Sequence, residues 1–150
     1  MQTNVDYQSA EAHTHMNMLQ GVISRMAGNS ANCKALCTTL VSTVGAVSYA
    51  AKVPEGLWIA VIPIVLFCYL DAMYLSLEQG FIDSYKGFVS RLHSDGVDAG
   101  ELFNIVPPDG YKKWPAVWKA FKSWAVWPLY LGLLVLSGLI MFFVRFSAAS

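Results

Sequence analysis

Charge is scarce in this sequence. Only 13% of its 150 residues are Asp, Glu, Lys or Arg, about half the share in ordinary soluble domains. Basic and acidic residues balance at ten each, so no basic excess points to bulk nucleic-acid binding. Cysteine is limited to three residues. Cys33 and Cys37 lie one helical turn apart, but His13 and His15 are well upstream, and no spacing makes a zinc site. A glycine-rich phosphate loop and a nucleophile elbow are both missing. Asp95, Asp98 and Glu101 form a loose carboxylate cluster on a predicted loop, where solvation is the simpler role. These absences argue against an enzyme, and no cofactor or metal is expected. The first 33 residues are polar, with Asp6 and Glu11, and lack the short apolar run of a secretory signal.

Apolar residues are abundant, at 55% of the chain. Three stretches approach the roughly 20 residues that a helix needs to cross a bilayer. The first, residues 35–51, reads "ALCTTLVSTVGAVSYAA" and is the shortest. The second, residues 56–77, is interrupted only by Asp71. The third, residues 123–144, ends at Arg145. The fold expected is an all-α integral membrane protein with three transmembrane helices, assembled as a homo-oligomer.

Three crossings put the termini on opposite sides. One side then holds Arg25, Lys34, Lys86, Arg91, Lys112, Lys113, Lys119 and Lys122, and the other only Lys52 and Arg145. The positive-inside rule assigns the first side to the cytoplasm. In a bacterial cell the protein would sit in the inner membrane, with residues 145–150 as a periplasmic tail.

Small or apolar residues at 12, 16, 19, 23, 26, 30, 33, 37, 40, 44, 47 and 51 recur in steps of four and three. That heptad seam runs from the polar segment 1–34 into the first span without a break. It predicts one long helix, half of it cytoplasmic. Leu77, Phe81, Tyr85, Phe88 and Leu92 extend the second span in the same way, to a stop at "HSDG" with Gly96 free to take a left-handed turn. Residues 78–122 thus divide into a cytoplasmic helix, a loop and an aromatic segment. In the last, Trp114, Trp118, Phe121, Trp124 and Trp127 with Lys119 and Lys122 suit a helix lying in the membrane interface.

Two features stand out at the membrane mouth. In "RMAGNSANCK", residues 25–34, Arg25, Asn29 and Asn32 share one helical stripe, with Ser30 on the neighbouring face and Lys34 closing the segment. Two readings are open: a collar satisfied by lipid headgroups, or a ring of donors for a phosphate-bearing ligand or a selectivity filter. Asp71 is costly within a span. It needs protein or water beside it, and Lys34 and Arg25 are the candidate partners. Asp71 and Ser30 are the candidate pore or gating residues, with a pore-lining acidic ring and a helix-end aspartate as the two alternatives.

"RMAGNSANCK" leading into "ALCTTLVSTVGA" resembles the membrane effectors of bacterial anti-phage systems, in particular the channel subunit of the Hailong system. The likeness covers residues 10–90 in architecture and about ten residues in motif. It implies an oligomeric ion channel, a tetramer in that family, that arrests growth by depolarising the membrane. It also implies a single-stranded oligonucleotide, made by a partner nucleotidyltransferase, that holds the channel inactive. Arg25, Asn29, Asn32 and Lys34 then become candidate ligand contacts. A holin-like lytic pore and a non-conducting membrane adaptor are the competing functions.

Overall fold

The first long helix begins at a polar cap. The Ser9 hydroxyl accepts a hydrogen bond from the Ala12 amide at 3.2 Å, which satisfies a donor the helix itself cannot reach. Glu11 sits favourably in the first turn. In the computed structural model, which describes residues 4–5, 9–94, 97–98, 105 and 114–149, helix α1 then runs unbroken over Ala10–Ala51. At 1.5 Å per residue it is about 60 Å long. Gly21 and Gly28 do not interrupt it.

Helix α1 stops at Lys52, whose φ of 56° is left-handed. The Val53 amide reaches back to the Ser48 carbonyl at 3.1 Å, closing the last turn. The chain reverses through a 3₁₀ segment, Pro54–Ala60, and enters α2, Val61–Ser94. Sequence placed the start of the second span at Gly56. The α-helical ladder starts later because Pro54 and Pro63 lack amide donors and suit only the opening turns. Gly56 passes close to the end of α1: a Cβ on it would lie 2.8 Å from Ser48 Oγ, and that hydroxyl would have to move aside.

Helices α1 and α2 form an antiparallel hairpin along their whole length. Helix α3, Trp114–Phe121, lies against the first half of α2, where Val117 and Ala120 pack on Ala72. After a turn over residues 122–126, α4 covers Trp127–Ala149. It therefore starts four residues later than the apolar run and continues past Arg145, because "RFSAA" contains no helix breaker. Pro128 falls in its first turn, where its missing amide costs nothing. A two-residue antiparallel ladder joins β1, Asn4–Val5, to β2, Val97–Asp98. The expected stop at Gly96, the lysines at 112 and 113, and Asp95 and Glu101 lie outside the described residues.

The main core is at the end of the hairpin where α4 joins it. Cys37 and Val41 of α1, Ile64 and Cys68 of α2, and Tyr130 and Leu133 of α4 close it. Helices α1 and α4 approach closely at Gly45, where a Cβ would stand 3.3 Å from Ile140 Cδ1. A smaller core at the opposite end joins Ala12 and Met16 to Phe88 and Leu92. There His15 is 3% exposed and lies against Phe88, with ring centroids 4.5 Å apart and the rings tilted by 47°. Burial holds its imidazole below the ordinary value of 6.5.

The architecture is thus an all-helical bundle apart from that short ladder. Two of its helical segments, Pro54–Ser94 and Trp127–Ser147, are long and apolar enough to cross a membrane. Residues 35–51 fall short of that measure because Thr38, Thr39, Ser42, Thr43 and Ser48 dilute their apolar content.

Candidate functional site

Helical spacing fixes which residues of the polar decade meet α2. Ser30 and Lys34 are one turn apart on α1, so both side chains leave the same face. Opposite them, in the first third of α2, is Asp71, 0% exposed. Lys34 Nζ lies 2.6 Å from Asp71 Oδ2 and donates to Oδ1 at 2.7 Å. The Ser30 hydroxyl also donates to Oδ1, at 2.5 Å, and receives a hydrogen bond from Lys34 at 2.9 Å. Oδ2 makes the ion pair but accepts no well-directed hydrogen bond. Near by, the Tyr130 hydroxyl of α4 donates to the Phe67 carbonyl at 3.2 Å.

Lys34, 25% exposed, is the wetter partner of the pair. A carboxylate withdrawn from water is strongly disfavoured unless paired, so this cluster ties α1 to α2. Of the two candidate partners, the structure brings Lys34 to Asp71 and leaves Arg25 exposed. Asn32 is also exposed, and Asn29 is half-buried. The four expected ligand contacts therefore separate. Lys34 belongs to the internal lock, and Arg25, Asn29 and Asn32 stand outside it. Asp71 faces α1 within the protomer, and an outward acidic ring is not the arrangement its burial offers.

The aromatic residues gather where α3 meets α4. Trp118 stacks on Phe121 at 5.4 Å, and Trp124 meets Trp127 edge-on at 5.4 Å. Trp114, Trp118 and Trp124 are exposed. They share the level of Asp71 along the bundle, since α3 packs on Ala72. At the other end of α4, Arg145 lies 3.9 Å from Glu55. Both are well exposed, so that pair contributes little, but it marks where α1, α2 and α4 share a boundary.

A second feature is the outward face of α1, where Ser42, Ala46 and Ala50 repeat every four residues in the sequence and all three are exposed. Ala35, Thr38, Thr39, Ser42 and Ala46 are all exposed and follow one another at helical spacing. The stripe continues towards the N-terminus through Ala31, Gly28, Ser24, Gly21 and Asn17, also all exposed. It was legible as a second heptad of small residues beside the apolar one. Thr38, Thr39 and Thr43 each donate their hydroxyl to the carbonyl four residues back, at 2.8 to 2.9 Å. Leu36, Leu40, Val47 and Tyr49 flank the stripe on α1, and the exposed faces of α2 and α4 carry larger apolar side chains such as Ile62, Val65, Leu66, Leu134, Phe142 and Phe143.

Among the described residues no group of His, Cys, Asp and Glu is arranged to hold a metal ion. No family model, no curated protein and no solved structure matches this chain.

Proposed function

We propose that the chain is an integral membrane protein that assembles with copies of itself into an ion channel, gated from its cytoplasmic hairpin. The membrane reading is supported by α4. It is long and apolar enough to span, yet only 22% of its apolar window is buried within the protomer, and only 33% of the corresponding window of α2. A core helix of a soluble protein would hide such a surface, whereas lipid covers it without penalty. Residues 35–51 supply the third span. Their threonine hydroxyls satisfy themselves on the helix backbone, as a lipid or pore environment requires.

The observation that carries the channel reading is the outward face of α1. A strip of alanine and hydroxyl residues among leucine and phenylalanine faces is poorly suited to lipid. It suits close approach of another helix or a water path. Because each threonine spends its proton on its own backbone, its oxygen offers only lone pairs outward, which favours cations. Three spans cannot enclose a path alone, so several copies would set α1 around an axis. The Ser30–Lys34–Asp71 lock lies where the hairpin enters the bundle, so movement of α1 against α2 would pass through it.

In this reading Arg25, Asn29 and Asn32 are free to meet a phosphate-bearing ligand on the cytoplasmic side. The growth-arresting, anti-phage role and the oligonucleotide ligand are supported by the resemblance of "RMAGNSANCK" and its continuation. The test is ion flux through liposomes holding the purified protein, with and without short single-stranded oligonucleotides. Flux that oligonucleotide suppresses, and that Thr38→Val with Ser42→Val reduces, is the expected result. Flux indifferent to oligonucleotide would leave a pore without that ligand. No flux in any condition would overturn the channel in favour of a membrane adaptor.

A further inference from the structure

The surface helix α3 does not lie flat on its neighbours. Between it and the membrane-facing sides of α2 and α4 runs a groove of about 420 Å³. Its walls are almost wholly apolar and include Val65 and Ala72 of α2, Trp114, Trp118 and Phe121 of α3, and Leu134 of α4. Val65 and Leu134 are 63% and 41% exposed, so the groove opens sideways onto the surfaces that lipid would cover. At its α3 rim the chemistry changes. Lys122 Nζ sits 5.4 Å above the Trp118 ring, and Lys119, one turn away on the same side, is exposed. The described part of α3 and the following turn carry no acidic residue to neutralise them.

We propose that this groove holds one acyl chain of an anionic glycerophospholipid, with its phosphate at Lys122 and Lys119. An apolar slot open to the bilayer, with Lys122 over a lining Trp ring and Lys119 exposed near by, neither ion-paired among the described residues, matches the two halves of such a molecule. Lipid binding of this kind is favoured by basic residues at the headgroup level and by Trp rings that take the apolar body of the interface. The site also touches the lock. Cys68 and Tyr130 line the groove, and Tyr130 donates its hydroxyl to the Phe67 carbonyl, one turn before Asp71 on α2. An acyl chain there would hold α4 against α2 beside the ion pair.

The proposal rests on the membrane reading, so the experiment separates the two. The full-length protein is purified in neutral detergent, offered equal phosphatidylglycerol and phosphatidylcholine, and weighed intact with its retained lipid. Retention of phosphatidylglycerol over phosphatidylcholine by about fivefold or more is expected. Lys122→Gln should remove that preference, and Lys86→Gln, an equal charge loss on α2, should not. Val65→Trp, at an exposed position, should cut retention of both lipids by filling the slot. Equal retention of the two lipids by the unaltered protein, or retention unchanged by Val65→Trp, overturns the proposal. Alkaline carbonate extraction of cell membranes is run alongside. Protein released into the supernatant would sink the membrane reading and the lipid site together. Protein that stays in the membrane but retains no lipid would sink the lipid site alone.

Discussion

Asp71 is the residue on which the junction of hairpin and bundle turns. Its carboxylate is buried and its countercharge comes from one partly wet lysine, so the two partners are not equivalent under substitution. Lys34→Ala strands a buried charge and should cost about 3–5 kcal/mol, read from thermal unfolding in detergent. Lys34→Met with Asp71→Leu removes both charges and should recover most of that loss, because the desolvation cost disappears with the pair. If Lys34→Ala unfolds at the same temperature as the unaltered protein, the pair is not a lock. Lys52 gives a smaller and opposite test. At φ 56° its Cβ is crowded in a way that glycine avoids, and the position closes a helix that most often ends on glycine. Lys52→Gly should therefore raise stability by about 1 kcal/mol, seen as a higher unfolding midpoint.

At the scale of elements, the hairpin tip and the hairpin base respond to different variables. The tip is held by Ala12, Met16, Phe88 and Leu92, with the His15 ring tilted against Phe88. The folded pKa of His15 is lowered by burial, so the unfolded or opened tip binds a proton more readily. The stabilisation is complete above the ordinary value of 6.5 and is lost as pH falls below it. Protection of the amides at the α1 N-terminus and the α2 C-terminus, measured relative to their intrinsic exchange rates, should fall between pH 7 and about pH 5. His15→Phe keeps the ring contact without the proton and should abolish that loss of protection; if it persists, another group controls the tip. Much of this element structure is readable in the sequence. The four-three seam matches the unbroken α1 and, from Ala12 to Cys37, the face it buries; beyond Cys37 the buried face shifts to Val41, Gly45 and Ser48, and the seam residues Leu40, Val47 and Ala51 are exposed. The repeat from Leu77 to Leu92 dictates the overrun of α2. What the sequence conceals is local or relational. Two prolines delay the start of α2, and "RFSAA" lets α4 run on. Whether Lys34 or Arg25 meets Asp71 depends on the register of two helices some forty residues apart, which periodicity alone does not fix. The groove under α3 is hidden for the same reason, since three separate segments build it.

The whole molecule is lopsided in its outer surface, and this asymmetry is what an assembly would use. Around the apolar half, α2 and α4 show large apolar side chains, while α1 shows a strip of alanine and hydroxyls beside Leu36, Leu40, Val47 and Tyr49. The three native cysteines are buried, at 6%, 0% and 7% exposure for Cys33, Cys37 and Cys68, so new cysteines can report on contacts between copies against a quiet background. Ser42→Cys and Ala46→Cys should form disulfide-linked species under mild oxidation in membranes, because small stripes let helix backbones come close enough for the bond. Leu139→Cys, on the exposed face of α4, should not. Gly28→Cys extends the test into the hairpin, where an added Cβ meets open space. Cross-linking at Gly28, Ser42 and Ala46 alike would mean that copies join along most of α1 and that its stripe is a helix–helix seam. Cross-linking at Gly28 alone would mean that the copies join through their hairpins and part within the bilayer, leaving the threonine face to water. Cross-linking at Leu139 instead would put α4 at the axis and remove α1 from the pore.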